Sequence, residues 1–388
     1  MKKIILRSGK EQSLKRFHPW VFSGAIDNME DTPDEGESVH LFSHAGECLG
    51  TGHYQTGSIA VRMISFRQEE PSDSFWREKF RKALQLREKA GLYGGGNTNV
   101  FRLVNAEGDG CPGLIADYYN GTIVLQAHSQ GFHRITEQLV RVLRQIFGNQ
   151  LEVFAKSPLN PSRKSDGGKP EASETPGTIV EENGNQFRVD WAGGQKTGFF
   201  IDQRENRKLL EHYSNGMKVL NMFSYTGGFS VYALRGGASA VHTVDSSSPA
   251  IDLANENITL NFPGDDRNIS FCNEAFDYFR DTKEKYDIIV LDPPAFAKNR
   301  KSQNNALQAY RRLNARALEY LAPGGLLFTF SCSQVVSREN FRQAVYSAAL
   351  QNGREISILH QLSQGADHPV SIYHPEGEYL KGLVLRVL

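Results

Sequence analysis

The chain of 388 residues has only four cysteines, Cys48, Cys111, Cys272 and Cys332, far apart and without a CxxC pair. That excludes a disulfide framework and offers no zinc-binding spacing, so each thiol has to be weighed alone. No apolar run approaches the roughly 20 residues that a spanning helix needs. The opening MKKIILRSGK lacks the apolar stretch and small-residue cleavage site of a secretory signal. The expectation is a cytoplasmic protein without a membrane partner. Charge of one sign is lacking too, since 44 Lys plus Arg balance 44 Asp plus Glu, which argues against indiscriminate binding to nucleic acid. The cations are nevertheless bunched. Residues 1–26 hold Lys2, Lys3, Arg7, Lys10, Lys15 and Arg16 against Glu11, and Arg77 to Lys89 adds six cations against two glutamates. Both runs can be read as solvated faces or as surfaces for a polyanion.

A chain this long exceeds one ordinary domain, which points to two or three. The segments KKIILR, HPWVFSGAI, SVHLFS, GECLGTGHY and SIAVRMISF alternate with Gly, Pro, Asp and Ser clusters, the pattern of a small β-barrel. Pro71-Ser72-Asp73 offers a turn and a helix cap. In the following SFWREKFRKALQLREKAGL, Phe75, Phe80, Leu84 and Leu86 with charged residues between them read as an amphipathic helix that opens a new domain. There FRLVNAEGD, GLIADYYNG and TIVLQAHS read as strands, HRITEQLVRVLRQIF as a helix, and LEVFAKS and QFRVDW as further strands, an α+β order. Lys156 to Gly177 has almost nothing apolar and reads as a mobile loop. From Met217 onward strand and helix alternate, which predicts a doubly wound, Rossmann-like α/β sheet.

The strand KVLNMFS runs into YTGGFSVYALRGGA, putting Gly227 and Gly228 at a strand-to-helix turn where backbone would approach a ligand. The turn is not GxGxxG, the fingerprint a pyrophosphate cofactor favours, and Asn221, Phe223, Ser224, Tyr225 and Thr226 instead offer groups suited to an amino-acid moiety. The next strand, AVHTVD, ends in Asp245, 17 residues beyond Gly228, where such folds place a carboxylate for ribose hydroxyls. Asp245 to Ser248, Ser246 included, can equally be a capping segment, with Ser248 as cap and Pro249 at the first helical position. After the third strand, Asn273 or Glu274 could meet an adenine amine. YDIIVLDPPAF delivers Asp292 to the end of the fourth strand, with two prolines stiffening the loop and an aromatic behind them. An acid followed by Pro-Pro-aromatic at this point is typical of methyltransferases acting on planar nitrogenous groups. The fifth strand, GGLLFTFSCS, ends at Ser331, Cys332 and Ser333, so neighbouring strands would bring Cys332 and Asp292 to one pocket. Cys332 is read as a nucleophile; Cys48, Cys111 and Cys272 have no such setting and are read as structural.

Together RFHPWVFSGAI, KTGFFIDQRENR, NMFSYTGGFS, DPPAFAKNRKSQ, TFSCS and ADHPVSIYHPEGEYLKG resemble the PUA-domain-containing cytosine-5 methyltransferases of 23S ribosomal RNA, over nearly the whole chain. The resemblance implies a PUA module over 1–72, a linking α+β domain over 73–190 and a catalytic domain over 191–388. It implies S-adenosylmethionine as cofactor, held by Gln203 and Arg204 together with the Asn221–Gly228 turn, Asp245 and Asp292. It makes large-subunit ribosomal RNA the partner, and a homodimer is one assembly open to it. Asp202 is kept as structural.

Carbon 5 of cytosine is a weak nucleophile. A Cys332 thiolate adding at carbon 6 would enrich it, while a protonated Asp292 donates to the ring nitrogen. The target base must leave its stack, with Phe296 available for contact. Many RNA cytosine-5 methyltransferases carry a second cysteine in the strand-four motif, where this chain has Pro293 and Pro294; the group assisting release of Cys332 therefore stays open, as does the base for the carbon-5 proton. The alternatives are methylation of a purine nitrogen, which needs no thiol, and a noncatalytic RNA-binding assembly factor. A nicotinamide oxidoreductase is disfavoured without GxGxxG.

Overall fold

The computed structural model describes residues 1–156, 178–191, 198–297 and 299–388. Apart from Lys156, the segment expected to be a mobile loop lies outside the described residues. Contacts gather the chain into two units, one of residues 1–183, 190–201 and 366–377, the other of 184–189, 202–365 and 378–388. The partition does not follow chain order, since a late segment, Ala366–Gly377, belongs to the first unit.

The first unit opens with β1 (Lys2–Leu6), a single turn α1 (Gln12–Lys15), β2 (Trp20–Phe22), β3 (Ile26–Met29), β4 (Ser38–Phe42), β5 (Cys48–Tyr54) and β6 (Ile59–Ser65). They pair in the order β2-β6-β5-β4-β1-β3, with β1 and β4 parallel. Alternation sets the inner face: Ile4, Leu6, Val39, Leu41, Val61 and Met63 fall at every second position and are all buried. The basic run here is not a bare cationic patch. Lys2, Lys3 and Lys15 pair with Glu37, Glu30 and Glu47, and Arg7 donates to the Ile26 carbonyl.

Helix α2 (Asp73–Lys89) starts at Ser72, whose hydroxyl accepts from the Phe75 amide. Its buried stripe is Trp76, Phe80, Ala83, Leu84 and Arg87. The expected amphipathic helix is present, but of the apolar residues that suggested it Leu86 is exposed, while Trp76 is fully buried, because positions 76, 80, 83 and 87 follow the helical three-and-four spacing. Strands β7 (Val100–Asn105), β8 (Leu114–Tyr119) and β9 (Thr122–Ala127) form an antiparallel meander. The single helix expected next is broken at Ile135 into α3 (Gln130–Arg134) and α4 (Thr136–Phe147), after which β10 (Glu152–Lys156) returns parallel to β9. A crossover is therefore built into a region whose strand order suggested none. β11 (Thr178–Glu182) follows. Deep in this unit the Arg87 guanidinium donates to both oxygens of Asp109 and to the carbonyls of Ala83, Arg102 and Asp367.

The second unit begins with β12 (Asn185–Val189) and α5 (Arg204–Tyr213). Then come β13 (Lys218–Met222), α6 (Gly228–Arg235), β14 (Ala240–Asp245), α7 (Ser248–Asn261), β15 (Asn268–Cys272), α8 (Ala275–Asp281), β16 (Tyr286–Leu291), α9 (Gln303–Tyr320), β17 (Leu321–Ser331), α10 (Arg338–Asn352), β18 (Ile356–Leu362) and β19 (Lys381–Val387). The sheet order is β15-β14-β13-β16-β17-β19-β18, and β19 alone runs antiparallel to its neighbours. The expected doubly wound sheet is present. Its central strands are apolar on both faces, as helices on either side require: Val219, Leu220, Ile288, Ile289, Val290 and Leu291 are all buried. The strand order reverses between β13 and β16, and in such sheets the crevice at the carboxyl ends there takes the ligand.

Candidate active site

The turn leaving β13 is bent unusually hard. Phe223, Tyr225 and Gly227 have φ of 62°, 45° and 75°, and only glycine adopts that region without steric penalty. The turn is held from β14: the Ser224 amide donates to the Val244 carbonyl at 3.0 Å and the Tyr225 amide to the Asp245 carboxylate at 2.9 Å. The other Asp245 oxygen accepts from the Ser247 amide at 3.0 Å. Asp245 is half-buried and sits beside Asn273, whose amide donates to its carbonyl at 2.9 Å. Ser246 and Glu274 are exposed, and Asn273 is half-buried. The capping expectation shifts by one residue. Ser247, not Ser248, caps α7 by accepting from the Ala250 amide, and proline falls in the first helical turn.

Packing within the protein also calls for glycines in this turn. A Cβ on Gly227 would lie 2.9 Å from the Ala254 Cβ of α7, and one on Gly228 would lie 3.0 Å from Cδ of Arg207. The close approach is thus to α7 and to a side chain of α5. Asn221 is fully buried beneath the turn. Its amide donates to Ser230, which meets Thr243, which donates to Asn268, a polar line across three strands. Its Oδ1, like Oγ of Ser224, is buried without a hydrogen-bond partner among the described residues, and buried polar atoms of that kind call for an explanation. Thr226 is buried as well, its carbonyl accepting from Asn257 at 2.9 Å.

Gln203 and Arg204 are buried at the start of α5 and not solvated as a charged helix start would be. Oε1 of the Gln203 side chain accepts from the Asn206 side-chain amide at 2.6 Å, and the Arg207 guanidinium lies 5.9 Å from the Tyr232 ring centre. Asp202, expected to be structural, accepts from the Tyr379 hydroxyl at 2.6 Å.

β16 and β17 are parallel neighbours with Leu291 opposite Thr329, so Asp292 and Cys332 emerge from the same edge of the sheet. The Cys332 thiol lies 3.8 Å from the Pro293 carbonyl oxygen, directly against the Asp-Pro-Pro loop. One hydroxyl ties the two segments together, since Ser333 Oγ accepts from the Ala297 amide at 3.3 Å and meets the buried Tyr310 hydroxyl at 3.1 Å. Phe296 packs on Tyr310 with ring centres 4.8 Å apart. Lys381, which the sequence reading missed, is buried at the head of β19 and donates to the Ser333 carbonyl at 2.7 Å. Its one signal in the sequence is a lysine leading the apolar run Gly382–Leu385. The other thiols differ in kind: burial pushes Cys111 up to about 12, Cys48 is half-buried, and Cys272 is exposed at the end of β15 against the Ser246 carbonyl. A structural reading of Cys272 therefore cannot rest on the core.

Residues 127–348 match the S-adenosylmethionine-dependent methyltransferase family and residues 4–66 match the PUA-like domain. Fold and matches together define the class, an S-adenosylmethionine-dependent methyltransferase that carries a PUA-like domain, as the sequence led us to expect. Proteins named ribosomal RNA large subunit methyltransferase I align over almost the full length. The one from Shewanella amazonensis is 40% identical over 401 residues, 99% of each chain. The one from Alteromonas mediterranea is 38% identical over 395 residues, 99% of this chain and 98% of that one. A SAM-dependent methyltransferase structure from Streptococcus mutans superposes with a TM-score of 0.84 at 26% identity, and a methyltransferase solved with SAH does so at 0.86 and 26%, each covering 100% of both chains. The chain belongs to the family of ribosomal RNA large subunit methyltransferase I. No helix among the described residues is long and apolar enough to cross a membrane.

Proposed function

We propose that this methyltransferase acts on large-subunit ribosomal RNA and methylates carbon 5 of a cytosine through a covalent adduct with Cys332. The substrate class follows from the names of its relatives. The carbon-5 chemistry rests on a single observation, the Cys332 thiol set against the carbonyl of Pro293 beside Asp292. Nitrogen methylation has no use for a thiol at that point.

The β13 turn suits the cofactor. Two buried polar atoms there, on Asn221 and Ser224, have no hydrogen-bond partner among the described residues, and Asp245 fixes the turn from the neighbouring strand. We assign the cofactor to Gln203, Arg204, the turn from Asn221 to Gly228, Asp245, Ser246, Asn273, Glu274 and Asp292. When bound, S-adenosylmethionine supplies a methyl group on a positively charged sulfur, an electrophile for carbon 5. The Cys332 thiolate uses its electron pair to form a bond to carbon 6, and the density so displaced reaches carbon 5. Asp292, protonated, donates to the ring nitrogen that accumulates charge. Once carbon 5 has been methylated its proton passes to water, the C–H pair restores the ring double bond as the sulfur–carbon pair returns to sulfur, and the ring nitrogen gives its proton back to Asp292.

RNA bearing 5-fluorocytosine at the target tests this reading, because fluorine cannot depart as a proton. A denaturation-resistant protein–RNA species, formed with cofactor and mapped by mass spectrometry to Cys332, is expected. A competent substrate that methylates without any trapped species would turn the reading toward a purine nitrogen.

A further inference from the structure

Lys381 stands opposite Ser331 in the β17–β19 ladder, and its Nζ reaches the Ser333 carbonyl at 2.7 Å. The side chain therefore runs along the stretch of backbone that carries Cys332, from one neighbour to the other. It is the only buried lysine among the described residues, 3% exposed. An ammonium taken out of water is costly unless an anion compensates it. Lys381 makes no ion pair with a carboxylate among the described residues, and the nearby Glu378 is paired with Arg338. Of the three donors of an ammonium, one meets a carbonyl oxygen.

We propose that Lys381 is a positioning residue that holds Cys332 as its thiolate, both before addition to carbon 6 and when the adduct breaks down. The inference rests on Cys332 being the nucleophile and supplies what a single-cysteine site lacks. On addition the sulfur gives its pair to carbon 6; on release that pair returns to sulfur as the carbon-5 proton passes to water, and the ammonium stabilises the anion that leaves. Electrostatics agree with the placement. Burial pushes Lys381 down to about 8, and the charge of Cys332 is the largest influence acting against that, ahead of Arg338, which lowers it further, and Glu378, which raises it. At pH 7 the amine is therefore mainly protonated, and a cation favoured by a thiolate favours that thiolate in return. The titratable and charged groups around this spot are Cys332 just beyond β17, Asp292 just beyond β16, Tyr310 on α9, Arg338 opening α10 and Glu378 ahead of β19.

The test is alkylation of Cys332 by iodoacetamide in the full-length protein across pH, followed on the Cys332 peptide by mass spectrometry so that the other cysteines do not interfere. The native midpoint should lie clearly below the free-thiol value of about 8.5. Lys381→Met should raise it by about one unit or more, roughly a tenfold loss of thiolate at pH 7, and Lys381→Arg should restore it. The kcat of Lys381→Met should fall about tenfold at pH 7 and recover toward pH 9, with cofactor affinity by calorimetry unchanged. A native midpoint at or above the free-thiol value, which needs no variant, overturns the proposal, and so does an identical midpoint in Lys381→Met. Full methylation by Cys332→Ala would instead sink the nucleophile reading itself, whatever the titration shows.

Discussion

Arg87 in the first unit and Lys381 in the second are both buried cations, yet their surroundings treat them in opposite ways. A guanidinium has five N–H donors. Each of Arg87's meets an acceptor, two on Asp109 and three on backbone carbonyls. Among the described residues the Lys381 ammonium has one hydrogen bond and no carboxylate partner. A saturated buried charge has nothing left to offer a ligand and serves the fold. An unsaturated one beside a thiol retains capacity for an anion that forms only at some stages of a reaction. The same contrast separates the thiols: Cys111 is sealed in the first unit's core, whereas Cys332 lies at a strand end in the catalytic unit.

The sharpest way to break this comparison is to exchange the expected losses. Cys332→Ala should reduce turnover by about a thousandfold, roughly 4 kcal/mol of barrier, with the urea midpoint nearly unmoved. Arg87→Met should do the reverse, lowering stability by about 3–5 kcal/mol because Asp109 is left as an uncompensated buried charge, while the properly folded fraction keeps its kcat. Lys381→Met, judged by the same denaturation, should stay within about 1 kcal/mol of the native protein or exceed it. Equal destabilisation by Arg87→Met and Lys381→Met would erase the distinction.

Asp245 stands between these extremes, with two amides on its carboxylate and part of its surface open. Asp245→Ala should weaken S-adenosylmethionine binding by about tenfold to a hundredfold, in line with hydrogen bonds to a charged group, and should leave RNA affinity unaltered. Calorimetry with the cofactor alone reads this directly; unchanged affinity would restrict Asp245 to holding the turn.

The smallest effect is a slope. Lys381 is depressed to about 8 from 10.5, so between those values the unfolded chain binds the extra proton and unfolding free energy rises with pH. The burden of the buried ammonium is complete below pH 8 and is relieved as pH climbs toward 10.5. Subtracting the Lys381→Met curve isolates it: native stability should gain on the variant across that window, and parallel curves would refute the shift.

How much of this could be read beforehand depends on how local each signal is. Asp292 and Cys332 were legible because strand–helix alternation orders the sheet and puts both at carboxyl ends of adjacent strands. The cap of α7 was legible to within one residue, since Ser246, Ser247 and Ser248 are chemically alike. Trp76 was overlooked because charged neighbours blur a helical stripe that packing makes plain. The pairing of Lys2, Lys3 and Lys15 with Glu37, Glu30 and Glu47 joins residues that sheet pairing brings together, so the run looked barer than it is. For Gln203 and Arg204 no spacing pointed inward; only resemblance did. Lys381 escaped because its neighbourhood is made by an antiparallel strand inserted out of chain order.

That insertion also bears on how the protein is made. β19 lies between β17 and β18 although it follows both in the chain, so β18 has no sheet partner until residues 381–387 have left the ribosome and slotted in. During vectorial synthesis the flank of β17 that leads to Cys332 stays an open strand edge, the kind of intermediate that invites wrong pairing. Once β19 docks, one event completes the sheet and brings the cation to the thiol. A nascent chain stalled before that point would carry the strand end that leads to Cys332 without the Lys381 contact to the Ser333 carbonyl.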